Sequence, residues 1–205
     1  MKYLELKNEL NNFPIFSLNE IKIIEPNFYR PRLNEWQDKG YIKKVIRGYY
    51  IFSDLPLSEE ILFKIANRIY LPSYVSLESA LSYYHLIPES IYGITSISTR
   101  KTYHFKTSIG EFIFRSIKLQ LFFGYYLMNY KEQYLKMAEI EKAFLDYFYL
   151  HPDLETEPDF NSLRINREMF FEQMDKKKLI NYLEKFNQKK LTRRINAFWS
   201  YLKNA

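Results

Sequence analysis

Apolar positions in the first fifty residues recur at two different periods. Tyr3, Leu6 and Leu10 fall at helical spacing, and Phe13-Pro14 interrupts them. Ser17-Leu18-Asn19-Glu20 has the form of a capping box, with serine ahead of the first turn and glutamate three residues on. The short helix it opens buries Leu18 and Ile21, holds Ile24 at its margin and stops before Pro26. A third helix is predicted from about Asn27 to Lys39, with Pro31 in its first turn, Leu33 and Trp36 as its buried stripe, and Gly40 as a left-handed terminus. The period then shortens to two. Tyr41-Ile42-Lys43-Lys44-Val45-Ile46 and Tyr49-Tyr50-Ile51-Phe52 are strand-forming runs on either side of Arg47-Gly48, which reads as a hairpin turn.

Residues 53–57 read as a linker. A helix follows from Ser58, with Glu59 and Glu60 at its positive end and Ile61, Ile65 and Ile69 on one face, closed by Leu71-Pro72. Ser76 caps another, in which Leu77, Ala80, Leu81 and Tyr84 share a face, and Ile87-Pro88 ends it. From Tyr92 to about Lys136 the pattern favours strands. Residues 102–107 and 111–117 flank Ser108-Ile109-Gly110 as a hairpin, and 122–128 with 133–137 suggest a second. Residues 138–150 return to helix around Ile140, Ala143, Phe144, Tyr147 and Phe148, and 151–161 read as a loop in which Asp153 and Asp159, each following a proline, shape turns. Two or three helices finish the chain. The last carries Lys189, Lys190, Arg193, Arg194 and Lys203 beside an apolar stripe of Ile195, Phe198, Trp199 and Leu202. The predicted fold class is α+β. A winged helix-turn-helix over residues 1–54 precedes a mixed α/β domain over 58–205, with antiparallel strands and C-terminal helices.

Composition narrows the chemistry. With 47% hydrophobic residues a packed core is expected. The absence of cysteine removes disulfides, thiolate metal sites and a cysteine nucleophile together. The charged start at Met1-Lys2-Tyr3-Leu4-Glu5 is unlike a signal peptide, and the most apolar run, 119–128, is too short to span a bilayer, so a cytoplasmic protein with no membrane partner is expected. Glycine stands only at positions 40, 48, 93, 110 and 124, which leaves no phosphate-cradling loop. His85, His104 and His151 are scattered, so neither a metal nor a cofactor is expected. Glu139, Glu141 and Lys142 could imitate a nuclease set, but acidic residues at a helix start serve its dipole, and no catalytic residue is assigned.

The formal net charge of +6 favours a polyanionic partner, and its placement carries more weight than its size. Arg30, Arg32, Lys39, Lys43, Lys44 and Arg47 on the third helix and hairpin face only Glu35 and Asp38 in the same stretch. In a winged helix-turn-helix the third helix enters the major groove and the hairpin tip meets the backbone or minor groove. Asn27, Tyr29, Arg30 and Asn34 are then placed to reach base edges. Arg32 and Lys39 flank them, and Lys43, Lys44 and Arg47 neutralise phosphates. A solvated helical module, or one that binds protein, has the same elements.

Pro72-Ser73-Tyr74-Val75-Ser76-Leu77-Glu78-Ser79-Ala80-Leu81, Leu86-Ile87-Pro88-Glu89, Thr95-Ser96-Ile97-Ser98-Thr99-Arg100-Lys101, Leu121-Phe122-Phe123-Gly124-Tyr125 and Ala138-Glu139-Ile140-Glu141-Lys142-Ala143-Phe144-Leu145-Asp146 follow one another in an order that resembles AbiEi-type antitoxins. Lys39-Gly40-Tyr41-Ile42 and Arg47-Gly48-Tyr49-Tyr50 are similar to that family's winged-helix consensus. The resemblance implies a transcriptional repressor that binds duplex operator DNA, regulates its own operon and counters a nucleotidyltransferase-type toxin in a type IV toxin–antitoxin, phage-defence or abortive-infection system. It also leaves open a stand-alone regulator whose C-terminal domain senses a ligand or self-associates.

Overall fold

The ends of the first helices are fixed locally. In the computed structural model, which describes residues 2–88, 93–130 and 133–204, helix α1 (Tyr3–Glu9) is followed by a two-residue strand, β1 (Phe16–Ser17), and by α2 (Leu18–Ile24). The expectations that touch Met1, Glu89 and Tyr92 lie outside the described residues. The Ser17–Glu20 capping box forms as expected: the Ser17 amide donates to Glu20 at 2.8 Å, and the Asn19 amide donates to Ser17 Oγ at 3.2 Å. Burial pushes the Glu20 carboxyl up, but the Ser17 hydrogen bonds and the charge of Arg68 outweigh it and hold the group below its ordinary value.

Helix α3 (Arg32–Asp38) starts five residues later than the sequence suggests. Proline disfavours helical backbone in the residue before it, so Pro31 keeps Arg30 out of the helix and itself occupies the cap position. Asn27, Tyr29 and Arg30 therefore lie on the turn ahead of α3 and not on its first turns. The other end is as predicted: Gly40 takes φ +71°, its amide donates to the Gln37 carbonyl at 2.9 Å, and the Tyr41 amide reaches the Trp36 carbonyl at 2.9 Å. The hairpin follows as β2 (Ile42–Ile46) and β3 (Tyr49–Phe52), with a register shift between Lys44 and Ile46. Strand β1 pairs with β3 and completes a three-stranded antiparallel sheet in the order β1-β3-β2.

That sheet is covered on both sides. Ile42 and Phe52 join Leu6, Phe16, Ile21, Leu33 and Trp36 in a small core under the three helices. Ile15, Val45 and Ile51, on the opposite face, belong to the main core of the rest of the chain.

The larger part begins with α4 (Glu59–Ile69), β4 (Ser73–Val75) and α5 (Leu77–Tyr83). Strands β5 (Ile94–Ser98), β6 (Tyr103–Thr107), β7 (Gly110–Ser116), β8 (Tyr125–Tyr130) and β9 (Gln133–Ala138) complete a sheet in the order β6-β7-β5-β4-β9-β8. Both expected hairpins are present, but the sheet is mixed: β5 runs parallel to β7, and β4 parallel to β9. Antiparallel strands alone do not describe it. The β6–β7 hairpin folds back so that β7 lies inside, next to β5, and β5 is buried at all five positions.

Helices α6 (Ile140–Leu150), α7 (Glu157–Ser162), α8 (Arg167–Gln173), α9 (Lys176–Phe186) and α10 (Lys189–Asn204) follow. Helix α7 occupies the stretch expected to be loop. Thr156 and Asp159 form its capping box, so Asp159 opens a helix where the sequence suggests a loop turn. Phe198 of α10 is fully buried among Phe144, Phe148 and Phe160, with ring centroids 5.3, 5.2 and 5.2 Å away. The chain is thus a mixed α+β protein, and among the described residues no helix is long and apolar enough to cross a membrane.

Candidate nucleic-acid interface

The basic residues of the N-terminal part are arranged by α3 and the hairpin. A rotation of about 100° per residue sets Leu33 and Trp36 on the buried side of α3 and brings Asn34, Glu35 and Asp38 to the side opposite. The cations flank that polar strip: Arg30 stands exposed ahead of the helix, Arg32 is half-buried at its start, and Lys39 is exposed at its end. Asn27 and Tyr29 are exposed on the preceding turn, with Tyr29 63% accessible despite its large apolar ring. The turn between α2 and α3 spans seven residues, against about three to four in a compact helix-turn-helix.

Lys43, Lys44 and Arg47 are all exposed, but they do not share one face. Lys43 pairs across the hairpin with Ile51, whose side chain enters the main core, so Lys43 lies on the side of the larger part, where β2 packs beside β6. Lys44 pairs with Tyr50, which packs on the small core, and so lies on the side of the helices. Arg47 sits at the tip beside Gly48, whose φ of +86° makes the tight turn. Lys44 therefore shares the hairpin side on which α3 packs, Arg47 stands at the tip, and Lys43 borders a different face.

Charge in the larger part is placed differently. Lys142 and Asp146 are both fully buried and form an ion pair one helical turn apart. Tyr74 Oη accepts from Lys142 Nζ at 2.9 Å and donates to Asp146 at 2.9 Å, and Ser76 Oγ donates to the same carboxylate at 2.9 Å. Burial pulls the Lys142 ammonium down and pushes the Asp146 carboxyl up, in each case against the pull of its partner. Gly124 stands over this pair: with φ +70°, a Cβ there would lie 3.0 Å from both Lys142 Cγ and a Tyr182 ring carbon. The motifs around Tyr74, Gly124 and Lys142 thus meet in space. Their signal in the sequence is small and apolar spacing, which does not reveal a buried ion pair.

Glu139 and Glu141 converge on Lys178, at 3.0 and 3.5 Å, and not on Lys142. Glu139 also accepts from Tyr182, Glu141 accepts from the Asp175 amide at 3.0 Å, and Lys142 engages Tyr74 and Asp146. Among the described residues, no three His, Asp or Glu side chains group as a metal site. On α10, Arg193 is exposed, but Arg194 is 5% accessible and donates to the carbonyls of His151 at 2.7 Å and Phe148 at 2.9 Å. Arg194 therefore closes the end of α6 and is no part of a basic outer face. No family model matches the chain, and no curated protein is similar to it.

Proposed function

We propose that residues 1–54 are a winged helix-turn-helix and that the chain is a DNA-binding transcriptional repressor. The observation that carries this reading is the exposed polar side of α3, flanked by Arg30 and Lys39, with Lys44 on the same side of the hairpin and Arg47 exposed at its tip. A helix lying in the major groove meets base edges along its middle and phosphates on either side. Asn34 is suited to the N6 and N7 edge of adenine, and Glu35 or Asp38 to the N4 amine of cytosine. Arg30, Arg32, Lys39, Lys44 and Arg47 are suited to phosphates. The operator is expected to carry A and C at the α3 positions.

The motif resemblance to AbiEi-type antitoxins extends the proposal. The repressor would act on its own operon and counter a nucleotidyltransferase-type toxin, with no chemistry of its own, in the cytoplasm. A reporter driven by the chain's own promoter, combined with expression of the neighbouring gene, tests both parts. Repression lost in Asn34→Ala together with Arg47→Ala supports operator binding, and growth rescue that survives those changes assigns the antitoxin role to the larger part. Repression without any rescue makes it a stand-alone regulator. Absence of repression overturns the proposal.

A further inference from the structure

Four of the large apolar side chains that the described residues expose line a single cavity. Phe13, Leu71, Leu127 and Tyr134 are 42, 48, 57 and 66% accessible, and the cavity they border measures about 720 Å³. Scattered exposed apolar residues need no explanation, but a cluster around one concavity does. The volume falls within the range of about 300–1,000 Å³ usual for small-molecule sites.

Among the described residues, the rest of the lining carries three cations, Lys64, Arg68 and Lys136, beside neutral Asn12, Pro14, Ile15 and Asn67, and no carboxylate. Asn67 ties α4 to β9: its side chain donates to the Lys136 carbonyl at 3.3 Å and accepts from the Lys136 amide. Leu127 and Tyr134 share the sheet face of Lys136, and Leu71 lies close to Arg68 in the chain, so apolar side chains alternate with cations around the concavity and match a ligand with an apolar body and an anionic head. A neutral apolar ligand would draw nothing from the cations, and a bare anion would leave the apolar side chains wet.

We propose that this cavity is a binding site for a small amphipathic anion, such as an aryl or alkyl carboxylate, sulfonate or phosphate. Its walls come from both parts of the chain, because Phe13 and Pro14 belong to the segment between α1 and β1, and Arg68, Leu127 and Lys136 to α4, β8 and β9. Arg68 also pairs with Glu20, the carboxylate of the α2 capping box. An anion at Arg68 competes with Glu20 for the guanidinium, so occupancy bears directly on the start of α2.

The test uses 8-anilinonaphthalene-1-sulfonate and its uncharged counterpart N-phenyl-1-naphthylamine, titrated by fluorescence into the full chain. The sulfonate should bind with one-to-one stoichiometry and at least tenfold more tightly than the neutral probe. Lys136→Gln should weaken the sulfonate roughly tenfold and leave the neutral probe unchanged. Leu127→Glu, which sets a carboxylate at the rim, should abolish sulfonate binding, whereas Leu119→Glu, at an exposed position outside the cavity lining, should leave it intact. These readouts involve no DNA, so they stand apart from the repressor reading. Equal affinity for the two probes, or sulfonate binding indifferent to both Lys136→Gln and Leu127→Glu, would overturn the site.

Discussion

Both parts of the chain expose cations, but among the described residues only the larger part also buries them in its core. Around α3 and the hairpin, Arg30, Lys39, Lys44 and Arg47 are exposed on a folded support, where Leu33, Trp36, Ile42 and Phe52 do the packing. In the larger part, Lys142 and Arg194 are buried and their donors are engaged by Asp146, Tyr74 and main-chain carbonyls. Removing an outward cation should cost the fold little and the interface much. Removing an inward one, or its partner, should do the reverse.

The largest effect on stability is expected at the buried pair. Asp146→Ala leaves Lys142 unpaired in the core and should cost about 3–5 kcal/mol in urea unfolding. Replacing both members by apolar residues, as Lys142→Met with Asp146→Leu, should cost clearly less, because no charge is left stranded. If the double variant is as unstable as the single, packing and not charge governs the site.

Arg194 comes next. Its guanidinium satisfies carbonyls at the end of α6, and Arg194→Ala should cost about 3 kcal/mol. The neighbouring Arg193→Ala removes an exposed cation 3.8 Å from Glu155 and should stay within about 0.5 kcal/mol of the wild type. Equal losses from the two arginines would erase the contrast between inward and outward charge.

A smaller effect belongs to the α2 cap. Ser17→Ala should cost about 1 kcal/mol. Because the Glu20 carboxyl is held below its ordinary value in the folded chain, its contribution is present above the usual glutamate range and is lost as pH falls through the depressed value. Stability followed from pH 6 down to about pH 3 should therefore fall less steeply in Glu20→Gln than in the wild type. Parallel curves would remove Glu20 as the acid-sensitive group.

What is legible in the sequence is local. The Ser17–Glu20 box, the Gly40 terminus, the Arg47-Gly48 hairpin and the apolar stripes of α4, α5 and α10 each rest on residues within a few turns of one another, and each is present. Strands β1 and β4 are not legible, because two or three residues show no period and are strands only through distant partners. The start of α3 differs from the sequence expectation because Pro31 does not sit inside the helix: its own ring sets the boundary. The cations of the candidate site are visible as residue types, but their faces are not: the register shift after Lys44 and the two-sided burial of the small sheet decide which lysine joins α3. The Lys142–Asp146 pair is not legible, because Tyr74 and Ser76, which hydrogen-bond to it, lie about seventy residues earlier.

Binding of duplex DNA by α3, Lys44 and Arg47 is tested most directly by fluorescence anisotropy of a labelled duplex across a range of salt concentrations. Lys44→Ala with Arg47→Ala should reduce the slope of log affinity against log salt by about two, close to 0.9 for each phosphate no longer neutralised. The unfolding midpoint should stay near wild type, and Lys43→Ala should have the lesser effect. A wild-type chain that does not bind DNA, or a folded double variant with an unaltered salt slope, would contradict this reading.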